Sequence, residues 1–422
     1  MRAFRAPPRP GMAVMSGLRV AYSFPHRLGE AGIGTTALHQ VLALHELGCR
    51  VTVWCASSAV PLPDGIRMVE TLSIPARVGR VRLPQRALGV DRSYAFHDRR
   101  VAAALRRRGP GGFDVVHTWP LGALATLRTA RELGIAALRE VPNTHTAHAV
   151  GEVGRELEIL GLSQPQGHSH TSSAARLRRE QAEYDVAAGL LVPSAPVSET
   201  FLARGVAPER LHHHGYGYDP ETFRPARREP QVPFTAVFAG RCEPRKGLHY
   251  ALRAWRESGA NRAGRLLVCG SFDPDYRRLL ADDLADESVV QMDFCNRLND
   301  VLAQADVMVL PSVEEGSALV SYEAMGSGCV PLVSVAAGAP VRHGHDGLVH
   351  EPRNVDELAG HLARVLSEPP LLATLREHAV ASAAGLRWID SGRRLVASYE
   401  KCRDGFVTEQ VARRSVRRGD AS

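Results

Sequence analysis

The chain has 422 residues, is 44% hydrophobic and 23% charged, and carries a formal net charge of +7. That length exceeds what one hydrophobic core usually supports, so two domains are expected, and the composition excludes a chain disordered throughout. No stretch of eighteen or more apolar residues occurs, which rules out an ordinary membrane-spanning helix.

Residues 1–17 are basic and Pro-rich with no continuous apolar run, and read as a flexible extension rather than a signal peptide. Leu18–Ser23 is a short β-prone run. A turn with Gly29, Gly32 and Gly34 then leads into helical spacing at Leu38, Val41, Leu42 and His45, with Gly48 as its stop. Arg50–Ala56 is the next strand, so the opening is a βαβ unit. Phe113–Trp119, Ile135–Val141 and Gly189–Ser194 are further buried-strand candidates. Gly151–Ala188 reads as helix with a polar interruption, SQPQGHSHTSS, where a longer loop over a cleft would sit.

The stretch 219–233 holds four prolines and mixed charges and reads as a linker. Beyond it the α/β alternation restarts, from FTAVFAG through RLLVCGS and DVMVLPS to CVPLVSV. A capping box at Asn354 and Glu357 opens a later helix. Helix continues to about Tyr399, and the last twenty residues read as a frayed tail. The expected organisation is a first α/β domain over 18–218, the linker 219–233, a second over 234–387, a helix at 388–400 crossing back to the first, and a tail at 401–422. Two parallel sheets facing each other place two ligands against one another across a cleft, the architecture of a group-transfer enzyme.

Seven cysteines with wide spacings and no CxxC argue against a disulfide framework and a zinc site, and fit a reducing cytoplasm. Ten arginines lie between Arg77 and Arg108 against two aspartates. A solvated surface and a peripheral contact with anionic membrane lipid, at an inner membrane face, are weighed evenly. Nucleic acid is disfavoured, because no aromatic residues are interleaved at stacking positions. His212, His213 and His214 resemble a metal cluster, but consecutive strand residues point to opposite faces.

Only two of the 52 basic residues are lysines, Lys246 and Lys401. Lys246 ends GRCEPRKG, where Gly240, Arg241, Arg245 and Lys246 lie between a strand end and a helix start, a setting that suits phosphate oxygens. A lysine kept in an arginine-rich chain suggests a point charge that a guanidinium cannot replace. In PSVEEGSALVSYEAMGSG, Glu315 sits in a loop and Glu323 inside the following helix. Ionised carboxylates accept from hydroxyl pairs, and the N–H groups of Ala318, Leu319 and Val320 lie at a helix N-terminus. A turn with basic residues and a helix with surface glutamates would each explain one segment alone.

Taken together, AVFAGRCEPRKGLHYALRAW, ADVMVLPSVEEGSALVSYEAMGSGCVPLVSV and HDGLVHEPRNVDELAGHLARVL resemble the retaining glycosyltransferases of family 4. The resemblance runs from about Leu18 to Tyr399 and is strongest over Gly189–Glu357. It implies the GT-B fold, two Rossmann-like parallel-sheet domains facing a cleft. It implies a nucleoside-diphosphate sugar (UDP- or GDP-sugar) as donor, an acceptor hydroxyl on a lipid, saccharide or small molecule, and retention at the anomeric carbon. At matching positions Arg241 and Lys246 would hold the diphosphate, Glu315 the sugar hydroxyls and Glu323 the ribose. Ala318, Leu319 and Val320 would meet phosphate, and Gly32 and Gly34 would lie near diphosphate and acceptor. His145 in NTHTAH resembles a histidine directed at the donor sugar. No metal or other cofactor is expected, since cations occupy the place of a divalent ion. A sugar-nucleotide epimerase, a phosphorylase and a non-enzymatic nucleotide-sugar binder are the competing readings.

Overall fold

The computed structural model describes residues 16–75, 80–82, 89–163, 173–226, 233–292, 295 and 297–419. The apolar run after Leu18 forms β1 (Arg19–Leu28), longer than Leu18–Ser23 and irregular between Phe24 and Arg27. It is followed by β2 (Arg50–Ser58), β3 (Arg67–Glu70), a short antiparallel pair β4 (Ser73–Pro75) and β5 (Arg80–Arg82), then β6 (Val115–Thr118), β7 (Ala136–Glu140), β8 (Gly189–Val192) and β9 (Leu211–His213). Seven strands make one parallel sheet in the order β3-β2-β1-β6-β7-β8-β9. Every residue of β6, β7 and β8 is buried, as a parallel sheet covered on both faces requires.

The second half repeats the logic with β10 (Phe234–Ala239), β11 (Gly264–Cys269), β12 (Val289–Gln291), β13 (Val307–Leu310), β14 (Val330–Ser334) and β15 (Leu348–His350). Their order is β12-β11-β10-β13-β14-β15, all parallel. The helix Leu248–Glu257 covers this sheet with Leu248, Ala251, Leu252 and Trp255, the spacing of one apolar stripe. In both sheets the order reverses beside a central strand, at β1 and at β10. Ligands of such sheets lie beyond the strand C-termini at that point.

The last helix differs from expectation. It runs without a break from Trp388 to Gly419 instead of ending near Tyr399. Leu395, Tyr399 and Cys402 are buried in the core of the first sheet, and Phe406 packs against it. These positions are four, three and four residues apart, so one apolar stripe continues past Tyr399 and holds the extra turns. Tyr399 also meets Nδ1 of His117 through its hydroxyl at 2.6 Å. Most of the polar interruption, 164–172, and part of the linker, 227–232, lie outside the described residues.

The three consecutive histidines go to three separate places. The His212 ring lies against Gly189, His213 Nε2 meets Ser198 Oγ at 3.0 Å, and His214 Nε2 meets Glu140 at 3.0 Å. Glu140 is fully buried. Burial pushes its carboxyl up, but His214 and His117 hold it down to about 2. Among the described residues no group of three His, Cys, Asp or Glu could hold a metal ion.

The two domains touch through the helix Thr146–Ile159. Glu156, on the helix Thr146–Ile159, accepts from Tyr250 at 2.7 Å and from Arg353 Nε at 2.7 Å, and its Oε1 lies 2.9 Å from His249 Nε2. Glu152 accepts from Arg353 Nη1 at 2.8 Å. This fixes that helix of the first domain against the second, directly beside Lys246.

Candidate active site

The loop after β13 and the turn after β10 converge because their strands are neighbours in the sheet. Gly240 closes β10 with its N–H donated to the Cys269 carbonyl at 3.0 Å. The chain then bends through Arg241 and Cys242 into a single helical turn, Pro244–Lys246. Val313 N–H donates to the Arg245 carbonyl at 2.9 Å and ties the two loops together.

Four charged side chains meet there. Lys246 Nζ contacts Glu315 Oε1. Arg245 Nη1 donates to Glu315 Oε2 at 3.1 Å, and its Nε donates to Glu243 at 3.0 Å. Ser312 Oγ adds a donor to Glu315 Oε1 at 3.3 Å. Burial and the adjacent Arg245 guanidinium pull the Lys246 ammonium down to about 7, against the attraction of Glu243 and Glu314. The rare lysine is therefore largely, though not fully, enclosed and paired with Glu315, whereas Lys401 is exposed on the last helix. Arg241 behaves differently. Its side chain is 57% exposed, with Glu243 3.5 Å away.

The helix Leu319–Gly326 begins after Ala318 and presents Leu319, Val320 and Glu323 as its partly accessible stripe. The Ala318 N–H is donated to the Ala337 carbonyl at 3.0 Å, so it is engaged inside the protein rather than held ready for phosphate. Leu319 and Val320 open the helix and carry its first N–H groups. Among the described residues Glu323 has no hydrogen-bonded or ionic partner, and burial raises its carboxyl to about 7.

That rise has a stability consequence. The folded value lies above the ordinary 4.5, so stability contributed by Glu323 is full below 4.5 and is lost as pH rises through 7. Glu323→Gln cannot ionise. It is expected to be more stable than wild type at pH 8, by about 1–3 kcal/mol, and equal to it at pH 4.5. Thermal unfolding at the two pH values checks this, and the same difference at both would contradict it.

On the first domain, Gly32 starts the helix Ile33–Glu46 at φ +85°, a conformation side chains rarely adopt. A Cβ on Gly34 would lie 2.6 Å from the Arg27 carbonyl. The tight turn at the end of β1 needs both. His145 finds the partners of its ring in the first domain. Its Nδ1 accepts from Ala147 N–H as the N-cap of Thr146–Ile159, its Nε2 lies 3.3 Å from Gln181, and its ring packs on Tyr184 and Phe201 at 5.1 Å each. Burial and nearby Arg204 lower it to about 4.

The sequence did not single out the residues that join the domains at this point. Thr144 N–H and Oγ donate to Glu314 Oε1 at 3.1 and 2.7 Å. Ser194 Oγ donates to the Gly316 carbonyl at 2.6 Å. Gly316 lies so close to Pro142 that a Cβ there would be 1.8 Å from its carbonyl oxygen. Residues 314 and 316 of the loop after β13 are thus each contacted from the first domain, next to the cation cluster.

Comparison with known proteins matches this geometry to a family. Residues 31–222 match the model of Glycosyltransferase Family 4, and residues 233–368 that of Glycosyl transferases group 1. The chain is 30% identical to a D-inositol 3-phosphate glycosyltransferase of Thermobispora bispora, over 88% of this chain and 90% of that one. It is similar in fold to a sucrose-phosphate synthase from Thermosynechococcus elongatus, with a TM-score of 0.68 and 20% identity over 91% of this chain and 98% of that one. It is also similar in fold to HepE of Anabaena solved in complex with UDP, with a TM-score of 0.63 and 14% identity over 91% of this chain and 100% of that one. Two switch-point sheets closing on a loop with paired cations and glutamates, and matches along both halves, place the chain among the family 4 glycosyltransferases of the GT-B fold, and it is a sugar-transferring enzyme.

Proposed function

We propose that the enzyme moves a sugar from a UDP- or GDP-sugar to an acceptor hydroxyl with retention at the anomeric carbon. The observation that carries this reading is the part-buried Lys246–Glu315–Arg245 cluster, with Glu323 left without a side-chain partner among the described residues on the following helix. The donor diphosphate lies over Lys246 and the N-terminus of Leu319–Gly326, with Arg241, free to swing, closing on its outer oxygens. Glu323 accepts from the ribose hydroxyls and Glu315 from hydroxyls of the transferred sugar.

As the glycosidic bond breaks, negative charge grows on the departing phosphate oxygen. The Lys246 ammonium and the helix N–H groups stabilise that charge. The departing oxygen takes the proton of the acceptor hydroxyl as that hydroxyl attacks the same face, which conserves configuration without a protein nucleophile. Lys246 and Arg241 fill the electrostatic role of a divalent ion, so transfer proceeds in EDTA.

The named activity of the Thermobispora relative makes D-inositol 3-phosphate the first acceptor to test, and the UDP complex of HepE makes UDP the first nucleotide. All seven cysteines are free, which supports a reducing, cytoplasmic setting. Among the described residues no helix is long and apolar enough to cross a membrane. The helix Val90–Arg108 exposes Arg92, Arg99, Arg106, Arg107 and Arg108, the surface for any peripheral contact with anionic lipid.

A thermal-shift screen with UDP- and GDP-sugars identifies the donor, since a ligand that binds the native state raises the melting temperature. NMR of the transfer product then reads its anomeric configuration. A product of inverted configuration, or no shift and no product with any of these donors, would overturn the proposal.

A further inference from the structure

Glu314 precedes the glutamate assigned to the sugar, and nothing in the reaction described above uses it. Its side chain is buried, with 1% exposure. Oε1 receives both donors of Thr144, the N–H and the hydroxyl, across the domain boundary. Oε2 lies 3.5 Å from Arg245 Nη1. The same Nη1 donates to the Glu314 carbonyl at 2.9 Å and to Glu315 Oε2 at 3.1 Å. One guanidinium nitrogen is thus shared between Glu314 and Glu315, while Glu315 also holds Lys246.

Thr144 sits on the first domain, one residue before the cap of the helix that lies against the Lys246 turn. When the two domains separate, Thr144 withdraws two donors from a buried carboxylate. The charge left behind draws more strongly on Arg245, and the balance of that guanidinium moves away from Glu315.

We infer that Glu314 is a positioning residue that reports domain closure to the donor site, acting from Thr144 through Arg245 on Glu315 and Lys246. This inference rests on the donor-site reading above. It makes the cation–carboxylate cluster correct only in the closed arrangement, so a donor bound to an open enzyme is not activated. Ser194 on Gly316 and Pro142 against Gly316 hold the neighbouring residues of the same loop and set the distance at which Thr144 arrives.

The test uses the full chain with whichever of UDP-glucose, UDP-N-acetylglucosamine and GDP-mannose turns over fastest, with Lys246→Ala as a reference. Thr144→Val and Glu314→Gln are each expected to lower kcat by about ten- to a hundredfold, with donor KM changed less than about threefold. The double variant should be no worse than either single one, because both break one path. Thr144→Ser, which keeps the hydroxyl, should recover kcat. Glu314→Gln should also move the alkaline limb of the kcat/KM profile to lower pH, since it removes a negative charge beside Lys246. Wild-type kcat in Thr144→Val, or additive losses in the double variant, would overturn the inference. If Glu314→Gln does not fold, the Val and Ser variants of Thr144 decide it by themselves. Inactive Lys246→Ala beside fully active Thr144→Val would sink this inference alone, whereas a fully active Lys246→Ala would sink the donor-site reading beneath it.

Discussion

Lys246→Ala is expected to lower kcat/KM for the donor by about a hundred- to a thousandfold, the usual loss when one preoriented donor to a developing oxyanion is removed. Fold and melting temperature should change little, because Glu315 keeps Arg245 and Ser312 as donors. Lys246→Arg should not restore the rate. The ammonium sits as a compact charge in a part-buried site paired with Glu315, and the Arg245 guanidinium already donates to the same carboxylate. The pH profile carries a second signature. Lys246 must be protonated to hold the diphosphate and is pulled down to about 7 in the free enzyme, so donor binding weakens by up to about tenfold per pH unit above 7. Glu323 must be ionised to hold the ribose and is pushed up to about 7, so binding weakens below that value. The kcat/KM profile is therefore a narrow bell centred near neutrality. Glu323→Gln removes its acid limb and Lys246→Ala its alkaline limb. Steady-state rates of the three proteins between pH 5 and 9 check this, and a flat wild-type profile would contradict it.

Gly316→Ala is expected to be nearly as damaging, for a steric reason. A Cβ at this position would lie 1.8 Å from the Pro142 carbonyl oxygen and 2.5 Å from its carbon, both backbone atoms of the opposite domain. Real contacts never come that close, so the domains or the loop must move by more than an ångström. Misplacement on that scale costs about a hundredfold in rate, and the crowding costs about 1–3 kcal/mol of stability. Gly360 provides the control. Nothing lies within 4 Å of a Cβ placed there, and it is in the helix Val355–Ser367. Gly360→Ala should keep full activity and gain about 0.5–1 kcal/mol of stability. Kinetics and thermal unfolding of the pair separate a contact effect from a glycine effect; equal behaviour of the two variants would refute the close-approach argument.

Much of the second domain is legible in the sequence because its determinants are local. Strand ends, the glycine before a basic turn and the acidic pair around a helix start are neighbours along the chain, and the pairing of β10 with β13 brings them together. The rarity of lysine points to a residue that is part-buried and ion-paired. What could not be read are the contacts of long sequence separation. Thr144 and Glu314 are 170 residues apart, and neither position has a pattern that names its partner. For His145, a histidine in a polar run says nothing about which way the ring turns; the cap of Thr146–Ile159 and packing on Tyr184 and Phe201 set it. The length of the last helix was available in principle. Leu395, Tyr399, Cys402 and Phe406 keep one stripe, but arginines and serines around them obscure the period.

The central claim is that the cluster around Lys246 binds the donor's diphosphate without help from a metal. Calorimetric titration of UDP and of GDP, in EDTA at pH 7, into wild type and Lys246→Ala tests it most directly. Saturable binding of one nucleotide to the wild type is expected, weakened by at least about tenfold in the variant, with folded protein in both. Equal affinity in the two proteins, or binding that appears only when a divalent ion is added, would contradict it.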